Sequence, residues 1–302
     1  MQTRLTRSTD EAAAALRDGE RVVFPTETVY GLGADAFDAE AVRGVFEAKG
    51  RPADNPLIVH VAAREHITQV ARTVPPAAER LVERFFPGVR MPRLPVAQRF
   101  LAACATPVAA PSANRSGRPS PTTWQAARDD LGGRVEAILR GPPTEAGLES
   151  TVVDCTIDPL GVLRAGATTL EALRAALPDA TIRPPVGAED ASEGSEHAAR
   201  SPGTRHRHYA PDARVVVVNE PPPPPPSADA GRRAYIGLTA PAGEGAFARV
   251  EVCENVEAYA RALFAFFRAA DTAGCDVICA QAVADTGLGR ALMDRLRRAS
   301  VS

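Results

Sequence analysis

The chain has 302 residues, 45% of them hydrophobic, and its 35 Lys and Arg against 37 Asp and Glu leave a formal net charge of −2. That length allows about two domains with ordinary cores, and the near balance of charge excludes a global field drawing the chain to nucleic acid or an anionic membrane, so any phosphate site must be a local cluster. Five cysteines, Cys104, Cys155, Cys253, Cys275 and Cys279, are scattered and odd in number, which fits neither a disulfide framework nor zinc spacing and predicts a reducing compartment; Cys275 and Cys279, flanking three residues of an apolar strand, are expected as buried thiols.

The N-terminus has no signal-peptide core, and no run approaches membrane-spanning length, so the expected location is cytoplasmic with no membrane partner. Residues 9–19 read as a helix capped by Ser8 or Thr9, with Gly19 beyond its end. Residues 21–25 are a short buried strand that opens into a polar stretch, 26–35, carrying Thr26, Thr28, Gly31 and Gly33. Gly31, Gly33 and Ala36 formally spell G-x-G-x-x-A after a strand, which raises a dinucleotide-binding reading with Asp54 as its ribose acid.

A helix over 38–48 leads into Lys49, Gly50, Arg51 and, beyond them, Asn55 held before Pro56. Two cations separated by a glycine beside that asparagine make a compact donor cluster of the kind that binds phosphate oxygens; the plain alternative is a solvated helix end with Lys49 on the helix dipole. Both cations are expected at a loop, where replacing them leaves folding intact. His60 ends the next strand, as a buried structural histidine or a ligand contact.

Helices follow at 76–86 and 95–104, and their junction is abrupt, because Pro87 and Gly88 run straight into Val89, Arg90, Met91 and Pro92. Residues 107–122 are the most informative stretch: an apolar strand start breaks into Ser112, Asn114, Ser116 and Ser120 among prolines that hold Ala110, Arg118 and Ser120 out of helix. Such a loop suits a polar ligand, although the same residues make ordinary turns. A helix at 123–131, a strand at 135–139, short strands ending near Ser150 and Arg164, and a helix at 169–177 complete a first domain, 1–183.

Residues 184–211 read as a linker whose second half is specific, where His206, His208 and Tyr209 stand among arginines; without an accompanying acid or thiol the histidines predict no metal. Residues 212–302 alternate strands (214–218, 233–238, 276–280) with helices (256–270, 289–298), an α/β pattern interrupted by six prolines at 221–226.

Taken together and in order, residues 24–33, 49–61, 110–122, 149–153, 201–211 and 287–299 resemble the YrdC-like family of L-threonylcarbamoyladenylate synthases in its long form, with an extra C-terminal domain. The resemblance covers nearly the whole chain. It implies a YrdC-like twisted, open, mixed α/β sheet with helices, plus a smaller Rossmann-like α/β domain. It also implies a nucleotidyltransferase that joins ATP, L-threonine and bicarbonate into threonylcarbamoyl-AMP and pyrophosphate, with Mg²⁺ accompanying ATP and a downstream threonylcarbamoyl-transferase machinery acting on tRNA.

By the family pattern Lys49 and Arg51 are the catalytic cations. Lys49, Arg51, Asn55, Ser112, Asn114, Ser120 and Arg164 face the nucleotide, and Tyr209 reaches over it as a lid. Thr28, His60, Arg90, the Ala110 backbone and Ser150 hold threonine. The chain departs from the family at Arg164-Ala165-Gly166, where Pro is usual, and at Gly88-Val89, where a strand, loop and returning strand ahead of Arg90 are missing. That loss keeps open an impaired relative serving as a weak RNA- or partner-binding module. A carbamoyl-handling domain like that of hydrogenase-maturation proteins is a third reading, disfavoured by the His-Tyr-Ala-Pro stretch and the C-terminal domain.

Overall fold

The computed structural model describes residues 1–85, 93–185, 209–223 and 231–300. Its first sheet comprises β1 (Arg4–Thr6), β2 (Val22–Phe24), β3 (Gly31–Asp35), β4 (Val59–His60), β5 (Val108–Ala109) and β6 (Ala137–Leu139), in the order β1-β6-β2-β3-β5-β4. β1 and β2 pair parallel with β6, whereas β3, β5 and β4 join antiparallel, so the sheet is mixed as expected.

Side-chain alternation along β2 decides which helices cover which face. Val22 and Phe24 pack with Leu16 of α1 (Thr9–Arg17) and with Phe100 and Leu101 of α4 (Pro95–Cys104), while Val23 packs with Val45 of α2 (Ala39–Lys49) and Leu131 of α5 (Trp124–Leu131). All eight are at most 1% exposed, and each such apolar side chain contributes roughly 1.5–3 kcal/mol on burial. Helix starts follow the capping residues: Ser8 Oγ accepts from Glu11 N–H, and Asp38 accepts from the N–H groups of Glu40 and Ala41. Gly50, at φ 61°, ends α2 in the left-handed conformation and turns the chain sharply at Lys49 and Arg51.

The glycine-rich stretch is a strand, not a phosphate-binding turn. Gly33 lies inside β3, where an added Cβ would stand 2.7 Å from Val108 Cγ1 and 2.9 Å from the Phe24 ring. Its role is close packing, and the dinucleotide reading fails because no helix opens at the motif.

A smaller sheet joins β7 (Val152–Asp154), β8 (Leu160–Arg164) and β9 (Ile182–Arg183), with α6 (Leu170–Ala176) and α3 (Pro76–Phe85) beside it. Among the described residues β4 and β7 are each paired on one side only. Between them opens an apolar cleft with about 1420 Å³ of empty volume, walled by Val59, Val61, Val82, Phe85 and Val153 among others. α3 has an apolar face, yet none of its residues is fully buried. The Gly88-Val89 junction and Arg90 lie outside the described residues.

The C-terminal sheet is wholly parallel: β10 (Arg214–Val218), β11 (Arg233–Gly237), β12 (Arg249–Val252) and β13 (Val277–Gln281), in the order β10-β13-β11-β12. α7 (Val256–Thr272) and α8 (Gly287–Ser300) pack on it, and their core runs on without a break into Val29, Leu148, Ala165 and Tyr209 of the first region. Gly147 permits that docking, since a Cβ there would fall 2.4 Å from Arg261 Cα of α7. An ion pair buried at Asp130 and half-buried at Arg268 adds to it: Arg268 donates to both oxygens of Asp130, at 3.1 and 2.7 Å, and to the carbonyl of Pro119. β1, β9 and β12 were not anticipated from the sequence; β1 and β9 are only three and two residues long. The thiol expectation holds: Cys104, Cys253, Cys275 and Cys279 are buried and unbridged, and Cys155 is half-buried.

Candidate active site

Six chain segments converge on one pocket with an empty volume of about 580 Å³. The turn after β2 supplies Thr26, Thr28 and Val29; the turn after α2 supplies Arg51; β4 supplies His60; the chain leaving β5 supplies Ala110 and Ser112; the segment before β7 supplies Glu149 and Ser150; and β8 ends at Arg164. Tyr209 closes one wall.

The hydroxyls at one end are ordered by their own hydrogen bonds. Thr26 Oγ1 donates to the Val29 carbonyl at 2.6 Å and lies 2.9 Å from Thr28 Oγ1. Because the Thr26 proton is committed, Thr28 must donate to Thr26, and its lone pairs are left to accept from a ligand. Ala110 is in the wall, but its N–H is engaged by the Ile58 carbonyl at 2.7 Å.

The pocket cations donate to backbone carbonyls and to the Asn55 side chain. Arg51 donates to the Asn55 carbonyl (3.1 Å), Asn55 Oδ1 (2.7 Å) and the Pro56 carbonyl (2.8 Å). Arg164 donates to the Ser150 carbonyl through Nε at 3.1 Å and Nη2 at 2.9 Å. Arg51 is 8% and Arg164 6% exposed. Burial lowers both guanidinium pKa values, Arg51 to about 10; the charge of Arg164 adds to the lowering of Arg51, and that of Arg295 to the lowering of Arg164. Among the described residues the one carboxylate in the wall is Glu149, which accepts from Ser120 Oγ (2.5 Å) and from Arg295 Nε (2.8 Å). The result is a buried pocket with an excess of positive charge, suited to an anion.

Several expected ligands instead stand one layer behind the wall. Lys49 is 2% exposed, donates from Nζ to the Ser112 carbonyl at 2.6 Å and to the Asn114 carbonyl, and so ties the polar loop to the end of α2. Burial, followed by the charge of Arg51, pushes its ammonium pKa well below the ordinary value. Asn114 accepts from Ser112 Oγ and donates to the carbonyls of Arg115 (2.9 Å) and Arg118 (2.8 Å). Asn55 and Ser120 are buried and orient Arg51 and Glu149. The expectation that Lys49 sits exposed on a loop is therefore corrected: it ends a helix and is buried by the loop it holds.

Tyr209 is itself buried, its ring stacked on Phe264 of α7 at 5.5 Å, and the Arg295 guanidinium lies 5.1 Å from the ring centroid on another side. Glu149 and Arg295 were missed in the sequence. Arg295 was legible there: it follows Ala291 and Leu292 at i+4 and i+3 and precedes Ala299 by four, which puts a charge on the apolar stripe of α8.

Two family models match the chain: "Threonylcarbamoyl-AMP synthase, C-terminal domain" over residues 168–301, and "Telomere recombination" over 14–89 and 87–166. A threonylcarbamoyl-AMP synthase of Pyrococcus abyssi is 40% identical, with 96% of this chain and 93% of the relative covered, and one of Bacillus subtilis is 36% identical, with 96% and 92% covered. The chain belongs to the threonylcarbamoyl-AMP synthase family. The solved structure of P. abyssi Sua5 complexed with L-threonine superposes with a TM-score of 0.85 at 35% identity, covering 99% of this chain and 97% of that one. Both regions of the long-form synthase are thus matched, which sets the hydrogenase-maturation reading aside.

The second synthase-family model breaks in two at 87–89, on the Gly88-Val89 junction. The alignment with the P. abyssi synthase runs over 326 positions, more than this chain's 302 residues, so it includes positions that this chain lacks. Among the described residues no helix is long and apolar enough to cross a membrane.

Proposed function

We propose that the chain is an L-threonylcarbamoyladenylate synthase, a nucleotidyltransferase that makes threonylcarbamoyl-AMP and pyrophosphate from ATP, L-threonine and bicarbonate. The observation that carries this reading is one pocket in which buried, carbonyl-held Arg51 and Arg164 stand with the small polar set Thr28, His60 and Ser150, the Ser150 carbonyl itself accepting from Arg164. A triphosphate suits the cations and a small hydroxy amino acid the polar set.

The threonine amine captures CO₂ or bicarbonate as a carbamate, whose oxygen attacks the α-phosphate of ATP while pyrophosphate leaves. No covalent protein intermediate is required. The pocket's contribution is to align the two substrates and to meet the growing phosphate charge with fixed cations. Arg51 and Arg164 serve as those cations. Lys49, Asn55, Asn114 and Ser120 hold the loops that carry the contacts, and Tyr209 walls the nucleotide side. Thr28, with its lone pairs free, accepts from the threonine ammonium before carbamoylation. Arg90 belongs to the same proposal as the partner of the threonine carboxylate. Mg²⁺ arrives with ATP, coordinated by its phosphates, because the pocket's Glu149 is already held by Ser120 and Arg295. The product passes in the cytoplasm to the machinery that modifies tRNA.

Pyrophosphate release from ATP should require both L-threonine and bicarbonate. Equal release with threonine omitted would overturn the reading and favour the impaired, partner-binding alternative.

A further inference from the structure

α8 packs in the C-terminal region, yet one of its side chains lies directly behind the pocket. Arg295 is 0% exposed and divides its donors among three groups: Nε to Glu149 Oε2 at 2.8 Å, Nη2 to the Ala165 carbonyl at 2.9 Å, and Nη1 to Asp294. Its guanidinium also lies 5.1 Å from the Tyr209 ring centroid. Glu149 and Tyr209 are pocket walls, and Ala165 follows the pocket cation Arg164.

The chemistry of Glu149 makes this arrangement consequential. A carboxylate in the wall of a triphosphate pocket repels the substrate unless its charge is met from behind. Glu149 points one oxygen at Ser120, and the other is taken by Arg295. We infer that Arg295 is a positioning residue for the triphosphate end of the pocket: it neutralises Glu149 and fixes the Glu149–Ser120 pair, so the C-terminal region is a working part of the nucleotide site. The inference rests on the synthase reading and goes beyond it, since it assigns nucleotide affinity to a residue of the far C-terminal helix that does not line the pocket.

The test compares Arg295→Met, Arg295→Lys, Glu149→Gln and the Arg295→Met/Glu149→Gln pair by melting temperature, initial rates and equilibrium titration with ATP. Arg295→Met should raise the KM and Kd for ATP by roughly ten- to a hundredfold, the effect of one uncompensated charge several ångströms from a phosphate in a partly buried site. The KM for threonine should move by less than about threefold, because Thr28, His60 and Ser150 take no part in the Arg295 contacts. Arg295→Lys should recover part of the ATP affinity. The pair should return it to within about threefold of wild type, since the repelling charge is then gone.

An unchanged ATP affinity in Arg295→Met overturns the inference. So does a pair as weak as Arg295→Met alone, which would show that Glu149's charge is not the cause. Should Arg295→Met not fold, the pair decides: a wild-type melting temperature with weak ATP binding refutes. Failure of the parent reading is separate, because wild type would then release no threonine-dependent pyrophosphate, while the ATP titrations would still test Arg295.

Discussion

Replacing Lys49 by Met keeps the length and apolar stem of the side chain and removes its donors, leaving the carbonyls of Ser112 and Asn114 without the amine that holds them. Each hydrogen bond from a charged donor is worth roughly 1.5–3 kcal/mol. The two bonds are opposed by the cost of burying the ammonium, the cost that also depresses its pKa. A net loss of about 2–4 kcal/mol is expected, and at about 2–4 °C per kcal/mol for a chain of this size the melting temperature should fall by roughly 5–15 °C. Threonine-dependent pyrophosphate release should fall with it, as the loop carrying Ser112 loses its anchor. The paired assay is a thermal melt and a pyrophosphate-release rate on the same preparation. A variant melting within about 2 °C of wild type, but slowed a hundredfold, would refute this account and make Lys49 Nζ a direct substrate contact.

Three further outcomes follow from the same geometry. Because Lys49's pKa is lowered in the folded protein and near 10.4 in the unfolded one, the unfolded state binds more protons between those values. The stability advantage of wild type over Lys49→Met should therefore widen as pH rises toward about 10, and a gap flat with pH, read by denaturant melts, would contradict the depressed value. Arg51→Ala should lower turnover by roughly 10² to 10³, the scale for one preorganised donor aimed at developing charge; full activity in that variant removes Arg51 from the phosphate site. Inserting a family-like strand-loop-strand between Gly88 and Val89 should raise the melting temperature by several degrees and lower the KM for threonine, and equal values in both forms would show that the short chain closes its own sheet.

Elements with a strong period were legible in the sequence. α7 reads directly from its apolar face and its Asn255 cap, and the ends of β2 and α2 fall within a residue or two of expectation. β3 was not legible, because Gly31 and Gly33 carry no strand signal and owe their place to the Phe24 ring above them. The site was legible as a set of residues but not as layers. Lysine is rarely buried, so only the Ser112 and Asn114 carbonyls, more than sixty residues away, reveal that Lys49 faces inward. The coupling of Glu149 to Arg295 spans 146 positions and has no local signature beyond a charge on an apolar stripe.

The pocket is supported unequally on its two sides. Residues 57–61 alternate: Ile58 and His60 line the pocket, while Leu57, Val59 and Val61 line the apolar cleft behind it. The next wall segment divides the same way, with Ser150 toward the pocket and Thr151 toward the cleft. Any settling of the cleft therefore moves His60 and Ser150, and with Ser150 the carbonyl that holds Arg164. The nucleotide end is braced from the opposite direction, by Phe264 against Tyr209, by Arg295 on Glu149, and by Arg268 on Asp130 and the Pro119 carbonyl. These contacts are buried or half-buried and belong to one continuous core or to ion pairs whose removal is costly, about 3–5 kcal/mol when one partner of a buried pair is lost. Settling of the cleft thus loosens His60, Ser150 and the grip of Ser150 on Arg164, while Tyr209 and Glu149 stay held from the C-terminal region.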